Sequence, residues 1–172
     1  MPRKKSERPS WDEKFMRAAA EAASRSSCLY LPAGAVIVKD KRIIAEGYNG
    51  APPGIKNCLE RGCRKDREHV PFKVKGKGVC RGNHAERNAS SQVAREALKG
   101  TTMYTIRYPC SSCAKEIVGN GIREVVYARG YEEKDSLTEE LFREARVRLR
   151  HFSIPEKRLA ELNERVRNVF YG

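Results

Sequence analysis

No stretch of this chain is apolar for the ~20 consecutive residues that a bilayer-spanning helix requires, which excludes a helical membrane span. The segment Met1 to Pro9 is basic and polar with no apolar core behind it, so it does not read as a secretory signal. It reads instead as a short flexible basic tail. No internal repeat is visible, which sets repeat architectures aside. Acidic charge is scarce: 22 Asp and Glu stand against 35 Lys and Arg, a formal net charge of +13. Such a surplus implies an anionic partner, either a nucleotide phosphate or a polynucleotide, beside charges that only solvate the surface. The aromatic stacking surface of single-strand RNA readers is not evident, so nucleic acid is the less favoured of the two. Six cysteines without a secretory leader point to reduced thiols or metal ligands in a cytoplasm, not to a disulfide framework.

What is present suits one domain, since 172 residues can bury a sizeable core. Trp11 to Ser26 reads as an amphipathic helix, with Trp11, Phe15, Ala18, Ala19, Ala22 and Ala23 on one side. Ser10 and Glu13 have the spacing of a capping box. Gly34–Lys39 and Arg42–Tyr48 are Val- and Ile-rich strands, joined at Asp40-Lys41 by a tight hairpin turn. Residues 49–54 are loop. The segment 55–82 is a cysteine-rich basic insert too long to lie structureless in a compact domain, so something must tie it down. Beyond it the sequence predicts a helix over 85–97, a strand over 103–106, a helix over 110–118 and a strand over 124–128. A helix over 136–145, an edge strand over 147–152 and a closing helix over 155–170 complete the chain. The main unit spans 10–153, and 154–172 is a helix packed on it or used between copies. Strands separated by crossover helices run parallel, and the first pair is an antiparallel hairpin. The expectation is an α/β fold: a three-layer α/β/α sandwich around a mixed five-stranded sheet.

The chemistry is concentrated in a split motif, His84-Ala85-Glu86 and, after 22 intervening residues, Pro109-Cys110-Ser111-Ser112-Cys113. Zinc prefers nitrogen and sulfur ligands, and a catalytic site keeps one position open for water. His84, Cys110 and Cys113 supply three ligands. Glu86 stands two residues past the histidine, close enough to handle protons at the water without binding the metal. Cys110 and Cys113 are three apart, so both sulfurs can face one side of a helix. A helix N-terminus also favours thiolate over thiol. The order H-x-E…P-C-x-x-C matches the signature of zinc nucleobase deaminases.

Four segments together resemble the deoxycytidylate (dCMP) deaminases of the zinc cytidine/deoxycytidylate deaminase superfamily: Gly34 to Val38, Gly47 to Pro52, Cys80 to Ala89 and Pro109 to Ala114. The resemblance runs from about Pro9 to about His151 and implies the cytidine deaminase-like fold. It implies conversion of dCMP to dUMP and ammonia, supplying thymidylate synthesis, with zinc on His84, Cys110 and Cys113 and Glu86 moving protons. It further implies that the Ala85 backbone reads the pyrimidine edge and that Asn49 bonds the sugar hydroxyl. Tyr127 or Tyr131 is expected to wall the sugar-phosphate end, with a core position at a strand end as the equal alternative for Tyr127. Homo-oligomers regulated by dCTP and dTTP are the usual state of the family. Leu29-Tyr30-Leu31-Pro32 stands where the family often has arginines, so Arg25 or the basic insert is expected to serve the phosphate. Thr105-Ile106-Arg107-Tyr108 replaces the commoner Val-Thr-Leu-Ser before the Pro-Cys.

Cys28, Cys58, Cys63 and Cys80 lie outside the catalytic motif. Cys58 and Cys63 form a C-x4-C pair within the spacing range of zinc ligands. The resemblance implies a second, structural zinc drawing on the segments of Cys28 and Cys58, with His69 as a reserve ligand. Reduced, partly buried thiols are the alternative. Two rival functions share the motif. One is the same zinc chemistry on tRNA adenosine, a free nucleoside or CMP. The other is a non-catalytic zinc nucleotide-binding protein, against which Glu86 speaks, since a sensor has no need of a proton shuttle.

Overall fold

The computed structural model describes residues 8–71, 78–130 and 136–171. Helix α1 (Trp11–Ser24) opens on the expected capping box: the Ser10 N–H donates to the Glu13 carboxylate at 2.7 Å and the Glu13 N–H donates to Ser10 Oγ at 3.1 Å. Its buried face is Phe15, Met16, Ala19 and Ala22. Trp11, expected with them, is 40% exposed.

Helix α1 lies on β1 (Gly34–Lys39), which pairs antiparallel with β2 (Arg42–Tyr48). Asp40 and Lys41 both take the left-handed conformation, with φ of 49° and 61°, as a two-residue hairpin turn requires to match strand twist. Two glycines set how closely the layers approach. A Cβ at Gly34 would collide with the Ala19 carbonyl of α1, and one at Gly47 would collide with the backbone at Ala85 and Ala89.

The insert folds as two single-turn helices, α2 (Cys58–Arg61) and α3 (Arg64–Arg67). Asn57 and Glu60 form a second capping box, which a four-residue helix needs because it has few bonds of its own. The insert is tied to the body where Tyr30 Oη donates to Asp66 Oδ2 at 2.7 Å. Its two ends are joined by Arg81 Nη2, which donates to the Lys56 carbonyl at 3.2 Å, and the chain flanking it closes in an isolated bridge between Gly50 and Asn83.

After the insert come α4 (Ala85–Ser90), α5 (Arg95–Leu98), β3 (Thr102–Arg107), α6 (Ser111–Gly119) and β4 (Glu124–Arg129). Then follow α7 (Ser136–Glu144), β5 (Arg148–His151) and α8 (Glu156–Tyr171). The single helix expected over 85–97 is broken into α4 and α5. No proline or glycine breaks it. Ser91 Oγ and Gln92 Nε2 both donate to the Asn88 carbonyl, and such local side-chain bonds compete with the helical ladder.

The sheet is mixed and five-stranded, in the order β2-β1-β3-β4-β5. Strand β1 is antiparallel to both neighbours, while β3, β4 and β5 run parallel. One face packs Val36, Val38, Tyr104 and Val126 against Phe15, Met16 and Ala19 of α1. The other packs Ala35, Ile37, Met103 and Val125 against Ala85, Ala89, Ala114, Ile117 and Phe142 of α4, α6 and α7. The result is the expected α/β/α sandwich. Helix α8 joins the α1 side, where Leu162 is buried and Arg158 Nε donates to Glu13 Oε1 at 2.7 Å. Its end, Val169 to Tyr171, is exposed.

Candidate active site

The start of α4 and the start of α6 meet on the α4/α6 face of the sheet. His84 is the N-cap of α4 (φ −76°, ψ 155°) and Cys110 the N-cap of α6 (φ −77°, ψ 166°); neither side chain caps its helix, which leaves both turned to the site. The sequence put Cys110 inside the helix behind Pro109. The helix instead starts at Ser111, one residue later. Cys113 lies in its first turn and is buried.

His84 Nδ1 lies 3.3 Å from Cys113 Sγ and 3.5 Å from Cys110 Sγ. The three ligand atoms all fall within 4.8 Å of one another, the one such group found among the described residues. Zn–N and Zn–S bonds of about 2.0 and 2.3 Å at a tetrahedral angle separate N and S by about 3.5 Å. One imidazole nitrogen and two sulfurs at helix N-termini therefore fit zinc in type and spacing. Three protein ligands leave a fourth position for water or substrate.

Electrostatics agree with that donor set. The hydrogen bond from Cys113 and the contact with His84 draw the Cys110 thiol down to about 3. Its bond to Cys110, together with burial, pushes the Cys113 thiol up. His84 is raised by its contact with Cys110.

Glu86 is buried beside this group, 6% exposed. Its Oε2 lies 3.7 Å from Cys113 Sγ, and Thr105 Oγ1 of β3 reaches Oε1 at 3.4 Å. Burial raises the Glu86 carboxyl above the usual range, which suits a group that must take and return protons near neutral pH. Thr105 was noticed in the sequence only as a departure from the family pattern. The signal that places it is strand parity: Met103 belongs to the core of the α4/α6 face, and Thr105 is the next residue on that face.

A second tether was not legible in the sequence. Thr138 of α7, fully buried, donates from Oγ1 to the Pro109 carbonyl at 3.2 Å and so holds the turn that presents Cys110. Arg87 of α4 donates from Nε to Glu116 Oε1 of α6 at 2.8 Å, linking the two ligand-bearing helices.

The expected substrate contacts fare differently. The Asn49 amide is largely consumed inside the fold: Oδ1 accepts from Ser26 Oγ at 2.6 Å and from the Ala33 N–H at 2.8 Å, and Nδ2 donates to the Leu31 carbonyl at 2.8 Å. Asn49 thus shapes the loop after α1 and keeps one N–H for a ligand. Ala85 is fully buried at the first residue of α4, against Gly47. Tyr127 is buried between Tyr108, 5.1 Å away edge-on, and His151, 5.2 Å away, as a core aromatic. Tyr131 lies outside the described residues. Arg25 lines a cavity of about 430 Å³ with Tyr48, Pro52 and Asn57, and none of His84, Glu86, Cys110 or Cys113 lines it.

Cys28, Cys58, Cys63 and Cys80 do not form a group as compact as the catalytic one among the described residues. They are nonetheless neighbours. The Cys58 thiol is raised first by burial and then by the charges of Cys63, Cys28 and Cys80. Cys28 Sγ accepts from the Leu31 N–H at 3.4 Å.

Known proteins resemble this chain in sequence and fold. Residues 9–129 match the family model of the cytidine and deoxycytidylate deaminase zinc-binding region. A deoxycytidylate deaminase of Mycobacterium phage D29 is 42% identical over 124 residues, 71% of this chain and 97% of the phage protein. The deoxycytidylate deaminase of Saccharomyces cerevisiae is 38% identical over 151 residues, 87% of this chain, and the chain spans about half of the yeast protein, 47% of its length. A crystal structure of the dCMP deaminase from cyanophage S-TIM5 in complex with dCMP and dUMP superposes with a TM-score of 0.66 at 25% identity, over 86% of this chain and all of the other. No helix among the described residues is long and apolar enough to cross a membrane. With the motif, its geometry and these relatives in agreement, the chain belongs to the cytidine and deoxycytidylate deaminase family.

Proposed function

We propose that this chain hydrolyses dCMP to dUMP and ammonia. The observation that carries the reading is the His84–Cys110–Cys113 group with the buried Glu86 carboxyl 3.7 Å from Cys113 Sγ. The relatives named deoxycytidylate deaminase, one of them matched over 97% of its length, support the substrate.

When bound at His84, Cys110 and Cys113, zinc supplies the Lewis-acid charge that makes a nucleophile of water near neutral pH. The rest falls to the side chains. Glu86 accepts the proton of the attacking water and delivers it to N3 of the ring, then takes the remaining proton from the hydroxyl added at C4 and passes it to the amino group, so that the C4 carbonyl forms as the C4–N bond breaks and ammonia leaves. Its burial excludes competing solvent, and the Thr105 hydroxyl keeps Oε1 oriented. Thr138 and Arg87 hold the two helix starts in register, which matters because a small misplacement of reacting groups costs rate steeply.

The reading includes a second, structural zinc on Cys28, Cys58, Cys63 and Cys80, with His69 in reserve. It is supported by the charges of Cys63, Cys28 and Cys80 that act on the Cys58 thiol and by the backbone N–H donated to Cys28 Sγ. It also includes a homo-oligomer regulated by dCTP and dTTP, supported by family membership. Product analysis with dCMP, CMP, deoxycytidine and tRNA supplied in parallel tests the substrate. Uridine-type product from dCMP in clear excess over the others is expected; inosine in tRNA alone would transfer the site to a different substrate class.

A further inference from the structure

Arg107 is the last residue of β3, three before the ligand Cys110. Its Nε is buried and has no hydrogen-bond partner among the described residues. A buried donor left unpaired costs about 1–3 kcal/mol, so a guanidinium held this way is suited to take an acceptor. Strand parity fixes its face. Met103 packs in the core of the α4/α6 side and Thr105 touches Glu86, so Arg107 is the next residue on the catalytic face.

Arg107 is not alone. It stands opposite Arg129, the last residue of β4, in the parallel ladder. Along β4, Val125 belongs to the same core as Met103, so Arg129 shares that face. Neighbouring strands are about 5 Å apart. Two guanidinium groups therefore emerge side by side at the carboxyl ends of adjacent parallel strands, where open α/β sheets bind their ligands. Arg107 is half-buried and Arg129 exposed, so the first is the more confined of the two. Each guanidinium offers a planar fork that fits two oxygens of one phosphate.

We propose that Arg107, assisted by Arg129, binds the 5′-phosphate of the substrate and so sets the preference for a nucleotide over a nucleoside. The inference rests on the dCMP reading and deepens it. It moves the phosphate site away from Arg25, whose cavity is lined by none of the catalytic residues. The chemistry is matched: two cations against a phosphate monoester of about −2 charge. Arg107 lies two residues along β3 from Thr105, about 7 Å at strand rise, a step away from the carboxyl that serves the ring, as the sugar separates phosphate from base.

The test measures kcat and KM on dCMP and on deoxycytidine for the zinc-loaded wild type, Arg107→Leu, Arg107→Lys and Arg129→Leu. In the wild type the kcat/KM ratio of dCMP to deoxycytidine should be large. Arg107→Leu should collapse that ratio about 10- to 100-fold, the size of a lost charged hydrogen bond, mainly through KM for dCMP, at unchanged zinc content. Arg107→Lys should restore part of it, because charge returns without the fork, and Arg129→Leu should lower it less than Arg107→Leu. Inhibition by inorganic phosphate and by dUMP should weaken in parallel in Arg107→Leu, whereas inhibition by deoxyuridine should not. A wild type without preference for dCMP would defeat the substrate reading itself. A wild type that prefers dCMP, with an Arg107→Leu variant that keeps the ratio, or that loses both substrates equally, would overturn the phosphate assignment alone.

Discussion

Two regions of this chain gather cysteines, and they are built differently. His84, Cys110 and Cys113 stand at the starts of α4 and α6, helices docked on a closed core, and their ligand atoms already converge within 4.8 Å. Cys28, Cys58, Cys63 and Cys80 stand on a loop and in the insert, whose helices are one turn long and bury no residue. Their charges are felt at Cys58, yet they do not close to the same degree. The difference is one of support. A site carried by helices packed on a sheet is assembled by the folding of the core, and its partners Thr105 and Thr138 arrive with it. Single-turn helices have no such support, and any ion they held would have to bring its own order, because ligand binding and local folding would then be one event.

The comparison breaks first at Glu86. Glu86→Gln should lower kcat on dCMP by about 10²- to 10⁴-fold, the usual worth of a general acid–base group. Zinc content should stay as in the wild type, since no ligand is removed; loss of metal together with activity would mean that Glu86 belongs to the ligand set. The two regions separate next by metal analysis. Cys58→Ala should lower bound zinc from about two ions per chain to about one, with dCMP turnover retained, whereas Cys110→Ala should lose the catalytic ion and all turnover. One zinc per wild-type chain in protein never exposed to chelator would remove the second site.

A finer probe is the support of the catalytic region. Thr105→Val keeps the side-chain shape and deletes the hydroxyl that meets Glu86, so kcat should fall about tenfold, the worth of one hydrogen bond to a charged group. Thr105→Ser should recover most of it. Equal KM increases in both variants, with kcat untouched, would assign Thr105 to substrate binding instead.

The smallest effect serves as a control outside both regions. The Arg158 guanidinium and the Ser10 backbone and hydroxyl hold the Glu13 carboxyl down at about 2. A depressed carboxyl contributes stability that is fully present above its ordinary value near 4.5 and is lost as pH falls through about 2. Urea midpoints should therefore separate wild type from Glu13→Gln at pH 7 and converge toward pH 2. A gap that widens as pH falls would reverse the sign and remove the α1–α8 contact from the account.

The sequence exposed the His84, Cys110 and Cys113 group because a metal site demands particular residue types at helix starts, and that demand is local. It exposed the hairpin at Asp40-Lys41 and the capping box at Ser10 for the same reason. It did not show that Asn49 bonds Ser26, Leu31 and Ala33 of a distant loop, and it misjudged the helix after His84, which Ser91 and Gln92 end without any breaker residue. Tyr127 looked equally fit for a pocket wall or a core. Only its neighbours Tyr108 and His151, from two other strand ends, decide for the core.

What the sequence determined by itself was the identity and order of the reactive groups: His84, Glu86, Cys110 and Cys113, with the alternation of strands and helices that carries them. Period and spacing encode these, since each depends on residues a turn or a hairpin apart. What only the tertiary structure decided was which groups meet. Thr105 reaches Glu86 across 19 positions of chain, Thr138 reaches the Pro109 carbonyl across 29, and Arg107 comes to stand beside Arg129 through strand register. Such encounters follow from the packing of layers and the pairing of strands, and no short stretch of the chain contains both partners.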